Sequence, residues 1–463
     1  MNRIKVEGPE PHRVYQRNDR DEADIPFAIE LSAPVQSAAV QTRLTSETFA
    51  SPWSVQGEMN GTTFEGVLKR VPVGRHNVEI RVLEPGGIAT ASASVSVGPV
   101  FVGDLWILAG QSNMEGCGKL VDTEQPQEGV SCFYLGDKWD LAVEPLCWLQ
   151  EAIDPVHWRV PEEQLEEERR AQRRERVKGA GLGLTFGKEL LRHTGVPIGL
   201  LMCAHGGTSM SAWDPGLLHE GGRSLYGAML RKVKKLGGKV KGCLWYQGES
   251  DANEQAVPHY AERFKNWVAC LRRDVGDPEL PFIYAQLSVH YSNMNAVWWN
   301  AIQHDQLMLE AQVPHAAMVP TIDAILSDAI HLDAVSLQSV GRRMAWRALS
   351  LAYPGHAPVA EPGPRPSAFA WNEDRTELAI EVSGANERLA DVAHAFGFQV
   401  DADGVKQPFT ATIADDGKTI RLRFERPVPE GDAFISHGAG FNPAVNVKDM
   451  KQIPLPVFGP IAI

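Results

Sequence analysis

Residues 103–116 read Gly103-Asp104-Leu105-Trp106-Ile107-Leu108-Ala109-Gly110-Gln111-Ser112-Asn113-Met114-Glu115-Gly116. The run 104–109 (DLWILA) is nearly all apolar, and a polar, glycine-bounded turn follows it. A short continuous apolar run closed by turn residues reads as a strand buried on both faces, the mark of a parallel sheet. The same pattern recurs at 198–204 (IGLLMCA), 240–246 (VKGCLWY), 281–287 (PFIYAQL) and 316–322 (AAMVPTI). Helical spacing fills the intervals. The clearest case is 255–276, where Val257, Tyr260, Ala261, Phe264, Trp267, Val268, Leu271 and Val275 recur on one face. Another helix is expected over 334–353, with Asp333 placed to cap it. Strands alternating with helices predict an α/β fold, a mostly parallel sheet covered by helices.

Outward from this block the period changes. In 1–100, Val78, Ile80 and Val82 alternate with polar residues, as do Val95 and Val97, and Pro85-Gly86-Gly87 reads as a turn between such runs. A small β-sandwich is expected there. The Pro- and Gly-rich segment 354–366 (PGHAPVAEPGPRP) reads as a linker. Alternation returns beyond it at Leu378, Ile380 and Val382 and at Ile420, Leu422 and Phe424, with Asp416-Gly417 as a hairpin turn. Three domains follow as an expectation: a β domain over 1–100, an α/β domain over 101–355, and a second β domain over 356–463. The stretch 161–178 (PEEQLEEERRAQRRERVK) is dense in mixed charge. It predicts a solvated helical insertion, or a flap beside the site.

The chain has 463 residues, 43% of them hydrophobic and 22% charged, which is a globular composition. Lys and Arg number 45 against 58 Asp and Glu, for a net charge of −13. Broad binding to nucleic acid or to anionic membranes is disfavoured by that balance. No run of apolar residues is long enough to span a bilayer, and the first residues carry no apolar core of a signal peptide. A cytoplasmic protein, or the mature form of a secreted or periplasmic one, is expected. Cys117, Cys132, Cys147, Cys203, Cys243 and Cys270 show no metal-ligand spacing. Buried thiols are expected at Cys203 and Cys243, and one disulfide among Cys117, Cys132 and Cys147 stays open.

In an open parallel sheet, ligands bind outside the carboxyl ends of the strands. Those ends carry Gln111-Ser112-Asn113, then His205-Gly206-Gly207-Thr208, then Gln247-Gly248-Glu249-Ser250-Asp251, and last Asp323 and the loop Asp328-Ala329-Ile330-His331. A hydroxyl, a glycine turn, a carboxamide and an acid with a histidine are the parts of nucleophilic acyl transfer. A serine hydroxyl needs a base to take its proton, and the base needs an acid to orient it. Ser112 is thus the candidate nucleophile, His331 the base and Asp328 the acid. The N–H groups of Ser112 and Gly206 and the Gln247 side chain are candidate oxyanion donors.

The blocks GDLWILAGQSNMEG, CAHGGTS with Trp213, LWYQGESDA and DAIHL resemble, in the same order, those of the SGNH hydrolase superfamily. Within it they are similar to the sialate O-acetylesterase and plant-type acetyl-xylan esterase group, over about 100–353. The resemblance implies a three-layer α/β/α, flavodoxin-like catalytic domain, a Ser-His-Asp site on Ser112, His331 and Asp328, and no metal or other cofactor. It implies oxyanion donors at Ser112, Gly206 (or Gly207) and Gln247, with Gln111 and Glu249 in support. The expected activity is carbohydrate O-acetylesterase, with an acetylated carbohydrate as the partner. The β regions and the tail 438–460 are similar to modules of bacterial sialate O-acetylesterases. Leu332 departs from the proline usual in sialate-type members and matches plant-type ones, which leaves the sugar open, as is the oligomeric state.

Other readings stand beside these. Glu249 and Asp251 are expected to order their loop rather than act as a glycosidase pair, because no second carboxylate motif accompanies them. Neither Ser112 nor Ser250 sits in the two-glycine elbow of an ordinary α/β-hydrolase. His205 reads as a packed residue, and Trp213, Trp298 and Trp299 as core or as sugar-stacking platforms. The rival functions are a carbohydrate-binding protein without catalysis and an esterase for another acyl group.

Overall fold

The computed structural model describes residues 3–47, 49–85, 93–291 and 295–463. Gly86 and Gly87 of the turn expected at 85–87, and Ala91 and Ser92 at the start of the following run, lie outside them. The strand Ala93–Gly110 organises the molecule. Its second half is buried throughout and lies in a seven-stranded arrangement. The order is Trp139–Leu141, Val130–Phe133, Ile198–Met202, Ala93–Gly110, Gly242–Tyr246, Phe282–Ala285 and Ala316–Val319. All neighbours are parallel except the Trp139–Leu141 edge. The other six strands are buried on both faces in this region, as a helix-covered parallel sheet requires.

The helices between them bury their apolar stripes against one core that includes Trp106, Phe186, Trp213, Trp245, Trp267 and Trp299. The helix expected over 255–276 begins later, at Tyr260, after a 3-10 turn Val257–His259 containing Pro258, and ends at Gly276 with φ 71°. Proline has no N–H for an α-helical interior, so the regular helix starts beyond it. The helix Ala334–Ala352 is capped as expected by Asp333, whose Oδ1 accepts the Ser336 N–H at 2.7 Å. Gly341 in this helix packs so closely on the start of Gly183–Thr194 that an added Cβ would lie 2.3 Å from the Leu182 carbonyl oxygen.

The first half of Ala93–Gly110 belongs to a second core. There it pairs antiparallel with Gly74–Leu83, which pairs with Glu22–Thr45, which in turn pairs with Ser54–Pro72. Val78, Ile80 and Val82 are fully buried on one face. One strand thus crosses residue 100 without a break, and its hydrophobic period changes where it passes from one core to the other. Beyond the α/β region lie two four-stranded antiparallel sheets. One orders Arg365–Trp371, Glu377–Ser383, Thr419–Phe424 and Phe409–Ile413; the other Val405–Lys406, Phe398–Ala402, Ala433–His437 and Phe458–Ala462. They enclose a third core. Asp416-Gly417 sits between paired strands, with Asp416 accepting the N–H groups of Lys418 and Thr419. The expected linker ends at Pro364, because Arg365 already starts a strand and its guanidinium reaches Glu310 at 2.8 Å.

All six cysteines are free thiols, so no disulfide joins Cys117, Cys132 and Cys147. Among the described residues no helix is long and apolar enough to cross a membrane.

Candidate active site

The polar turns after the parallel strands converge as the strand order requires. Gly110 ends its strand at φ 132°, and an added Cβ would lie 2.2 Å from the Tyr246 carbonyl oxygen. Only glycine lets the chain turn this close to the neighbouring strand. Ser112 follows at the head of a one-turn helix, Ser112–Glu115. Its Oγ lies 2.9 Å from His331 Nε2. His331 Nδ1 lies 2.9 Å from Asp328 Oδ2 and 3.0 Å from Oδ1. Asp328 Oδ1 also accepts the N–H groups of Ile330, at 3.1 Å, and His331, at 2.9 Å. A four-residue loop, Asp328-Ala329-Ile330-His331, therefore orients acid and base together.

Two residues that the sequence did not single out hold this line. Asn113 Oδ1 accepts the Leu332 N–H at 3.1 Å, while its Nδ2 donates to Glu249 Oε1 at 2.8 Å. It ties the Ser112 turn to the His331 loop and to the 247–251 loop. Lys178 Nζ lies 2.5 Å from Asp328 Oδ2. Lys178 comes from the end of the charged insertion, brought in by the pairing of Lys178–Ala180 with Gly118–Lys119. Burial alone would push the Asp328 carboxyl up. Lys178, His331 and the two loop N–H groups outweigh it and hold the carboxyl well below the usual carboxylate range. Such a group stabilises the fold above its unfolded pKa, near 4, and loses that contribution as pH falls through the lowered folded value.

Lys178→Met removes the ammonium and lets Asp328 rise toward the ordinary range. The pair is partly exposed, so the expected loss in kcat is modest, about three- to tenfold. The acid limb of the pH–rate profile is expected to move to higher pH, and Lys178→Arg to restore it. An unmoved limb in Lys178→Met would deny Lys178 this role.

The oxyanion candidates are placed less simply. Ser112 and Gly207 line a cavity of about 500 Å³ together with Gln111, Gly206, Glu249 and His331. The backbone N–H groups of Ser112 and Gly207 make no hydrogen bond among the described residues. The Gly206 N–H donates to Glu115 Oε2 at 2.7 Å, and Arg159 Nη2 approaches the same oxygen at 3.4 Å. Gln247 is fully buried and outside the cavity lining; its Nε2 donates to Asp251 Oδ2 at 2.5 Å and to the Thr208 carbonyl at 3.1 Å. Gln111 does line the cavity. Its Oε1 accepts the Ser250 N–H at 3.3 Å and the Gln247 amide at 3.4 Å, and its own amide nitrogen has no partner among the described residues.

The remaining candidates hold loops or fill the core. Glu249 is raised by burial against the pull of Asn113, and Asp251 by burial against the Gln247 amide and the Met210 N–H. His205 is lowered to about 4 by burial and by Arg159, and its Nδ1 faces that of His157 at 3.3 Å. Trp213 and Trp299 are core residues whose N–H groups donate to Thr208 Oγ1 and to the Ser288 carbonyl, and Trp298 is partly buried. Neither Trp213 nor Trp299 offers a face to a sugar.

A parallel α/β sheet with a hydrogen-bonded Ser-His-Asp line at its carboxyl edge is the arrangement of a serine hydrolase. The sequence profile of the family described as carbohydrate esterase, sialic acid-specific acetylesterase matches residues 102–350. The chain belongs to this family of carbohydrate acetylesterases. A probable carbohydrate esterase of Arabidopsis thaliana is 30% identical over 201 residues, covering 41% of this chain and 71% of that protein. The crystal structure of a carbohydrate acetylesterase from Xanthomonas citri shares the fold at TM-score 0.67 and 21% identity, over 97% of both chains.

Proposed function

We propose that this carbohydrate esterase removes acetyl groups from sugar hydroxyls through an acetyl-serine intermediate on Ser112. The observation that carries it is the unbroken line from Ser112 Oγ through His331 to Asp328, each step within 3.0 Å. Ser112 Oγ attacks the ester carbonyl carbon while His331 Nε2 takes its proton. The tetrahedral intermediate collapses as His331 returns that proton to the departing sugar oxygen. Water then attacks the acetyl carbon, giving its proton to His331, and acetate leaves as Ser112 Oγ is reprotonated. The fold reading that goes with this is a three-layer SGNH-type catalytic domain over 101–355, flanked by β-sandwich-like domains over 1–100 and 356–463. Three separate hydrophobic cores support it.

For the oxyanion, the unbonded N–H groups of Ser112 and Gly207 and the amide nitrogen of Gln111 are the donors the geometry favours. Gln111→Ala is expected to lower kcat by about 10²–10³ with little change in KM. Gln247→Ala is expected to lower thermal stability, because it leaves the buried Asp251 carboxylate with the Met210 N–H but without its amide partner. If Gln247→Ala instead reproduces the kcat loss in a fully folded protein while Gln111→Ala does not, the side-chain donor is Gln247.

Acetate release from a panel of acetylated mono- and oligosaccharides tests the substrate class. p-Nitrophenyl acetate turnover with no release from any sugar acetate would move the activity to another acyl ester.

A further inference from the structure

A second cavity, of about 540 Å³, adjoins the first and shares Glu115, Cys117 and Arg159 with it. Its outer wall is the helix Leu165–Glu175, the charged insertion of the sequence. This helix is docked from its other sides. Leu165 is buried, Arg169 Nε donates to the Gln150 carbonyl at 2.6 Å, and Arg173 Nε reaches Glu151 at 2.7 Å and lies over the Trp148 ring. Glu168, Ala171, Gln172 and Glu175, spaced i, i+3, i+4 and i+7, face the cavity as one stripe. The solvent side carries the Glu166–Arg170 pair. The run read from sequence as mixed solvated charge is therefore two-sided, with one side aimed at a cavity that adjoins the one lined by Ser112.

The volume falls within the range of small-molecule sites and exceeds what an acetyl group needs. The lining also selects for chemistry. Of its cations, Arg176 is turned to the carbonyls of Cys147 and Lys178, and Lys178 is paired with Asp328. Arg159 sits between the cavities, beside Glu115 and the Gly206 carbonyl. Among the described residues Glu168 holds only the Gln172 amide, at 3.1 Å. What faces an incoming group is thus carboxylate and carboxamide acceptors, with amide and guanidinium donors beside them. Hydroxyl pairs of a sugar ring match that set, while an anionic ring would meet Glu168 and Glu175.

We infer that this cavity is a glycosyl subsite, taking the neutral sugar unit joined to the one whose acetyl group lies at Ser112. The inference rests on the carbohydrate acetylesterase function proposed above. It makes the enzyme a deacetylase of neutral oligosaccharides rather than of single sugars.

The test compares kcat/KM for acetylated xylose, acetylated xylo-oligosaccharides and an acetylated digalacturonate, each relative to p-nitrophenyl acetate. The wild type is expected to favour the xylo-oligosaccharides over acetylated xylose by about tenfold or more. Ala171→Trp fills the cavity from the helix face and is expected to erase that advantage. Gln172→Ala, which keeps a good helix former, is expected to reduce it severalfold and serves if the larger side chain prevents folding. An unchanged oligosaccharide advantage in both variants, or a preference for the digalacturonate, overturns the subsite and leaves the esterase function standing. No acetate release from any sugar acetate by the wild type overturns both.

Discussion

Ser112→Ala is expected to lower kcat for p-nitrophenyl acetate by about 10⁴–10⁶-fold, roughly 5–8 kcal/mol of transition-state stabilisation, and to leave the fold intact. The structural reason for the second half is that, among the described residues, Ser112 Oγ has one partner, His331 Nε2. Its removal creates no cavity larger than an oxygen atom, and alanine is at ease in a helical turn. A shift in unfolding free energy of about 1 kcal/mol or less follows. Substrate binding should persist, since the cavity lining is otherwise untouched, so the loss belongs in kcat rather than in KM. A fluorophosphonate should label the wild type and not the variant. Residues that act as a unit are non-additive, so Ser112→Ala combined with His331→Ala should be hardly slower than Ser112→Ala alone. Activity within tenfold of wild type in the single variant would remove Ser112 as nucleophile.

The parts of the site legible in the sequence are those carried by short contiguous segments at strand ends. Ser112 follows an apolar strand by three residues, and Asp328 and His331 share one loop. Their convergence follows from strand order in a parallel sheet, which hydrophobic period announces. What escaped are the partners chosen by tertiary geometry. Lys178 lies 150 residues before Asp328, inside a run whose composition says solvent; only the pairing of Lys178–Ala180 with Gly118–Lys119 brings it in. Glu115 stands in the quoted block, yet nothing local shows that its carboxylate reaches the Gly206 N–H. The Gln247 amide donates to the buried Asp251 four residues on, a contact set by burial that spacing alone does not show. The strand Ala93–Gly110 was legible only in halves, because its two ends obey different periods in two cores.

Asp328→Asn should cost about 10³–10⁴ in kcat, about 4–5.5 kcal/mol, and the hydrogen bonds around the carboxylate explain why an isosteric amide fails. With both oxygens accepting, His331 is held with its proton on Nδ1 and its Nε2 lone pair toward Ser112 Oγ, the tautomer a base requires. Asparagine has one acceptor and one donor to place there. With its oxygen at the Oδ1 position it satisfies the N–H groups of Ile330 and His331, but its NH₂ then faces the Lys178 ammonium and the His331 Nδ1 proton. In the flipped orientation the NH₂ meets two backbone donors instead. Either way a donor opposes donors, and the least strained escape is for His331 to carry its proton on Nε2, where it can no longer accept one from Ser112. The loss should therefore sit in kcat, and labelling by a fluorophosphonate should slow in parallel, since both depend on activating the same hydroxyl. Because the misfit involves Lys178, Asp328→Asn with Lys178→Met should recover part of the deficit, whereas independent effects would multiply. Retention of more than a tenth of wild-type kcat in Asp328→Asn would mean that another acid orients His331.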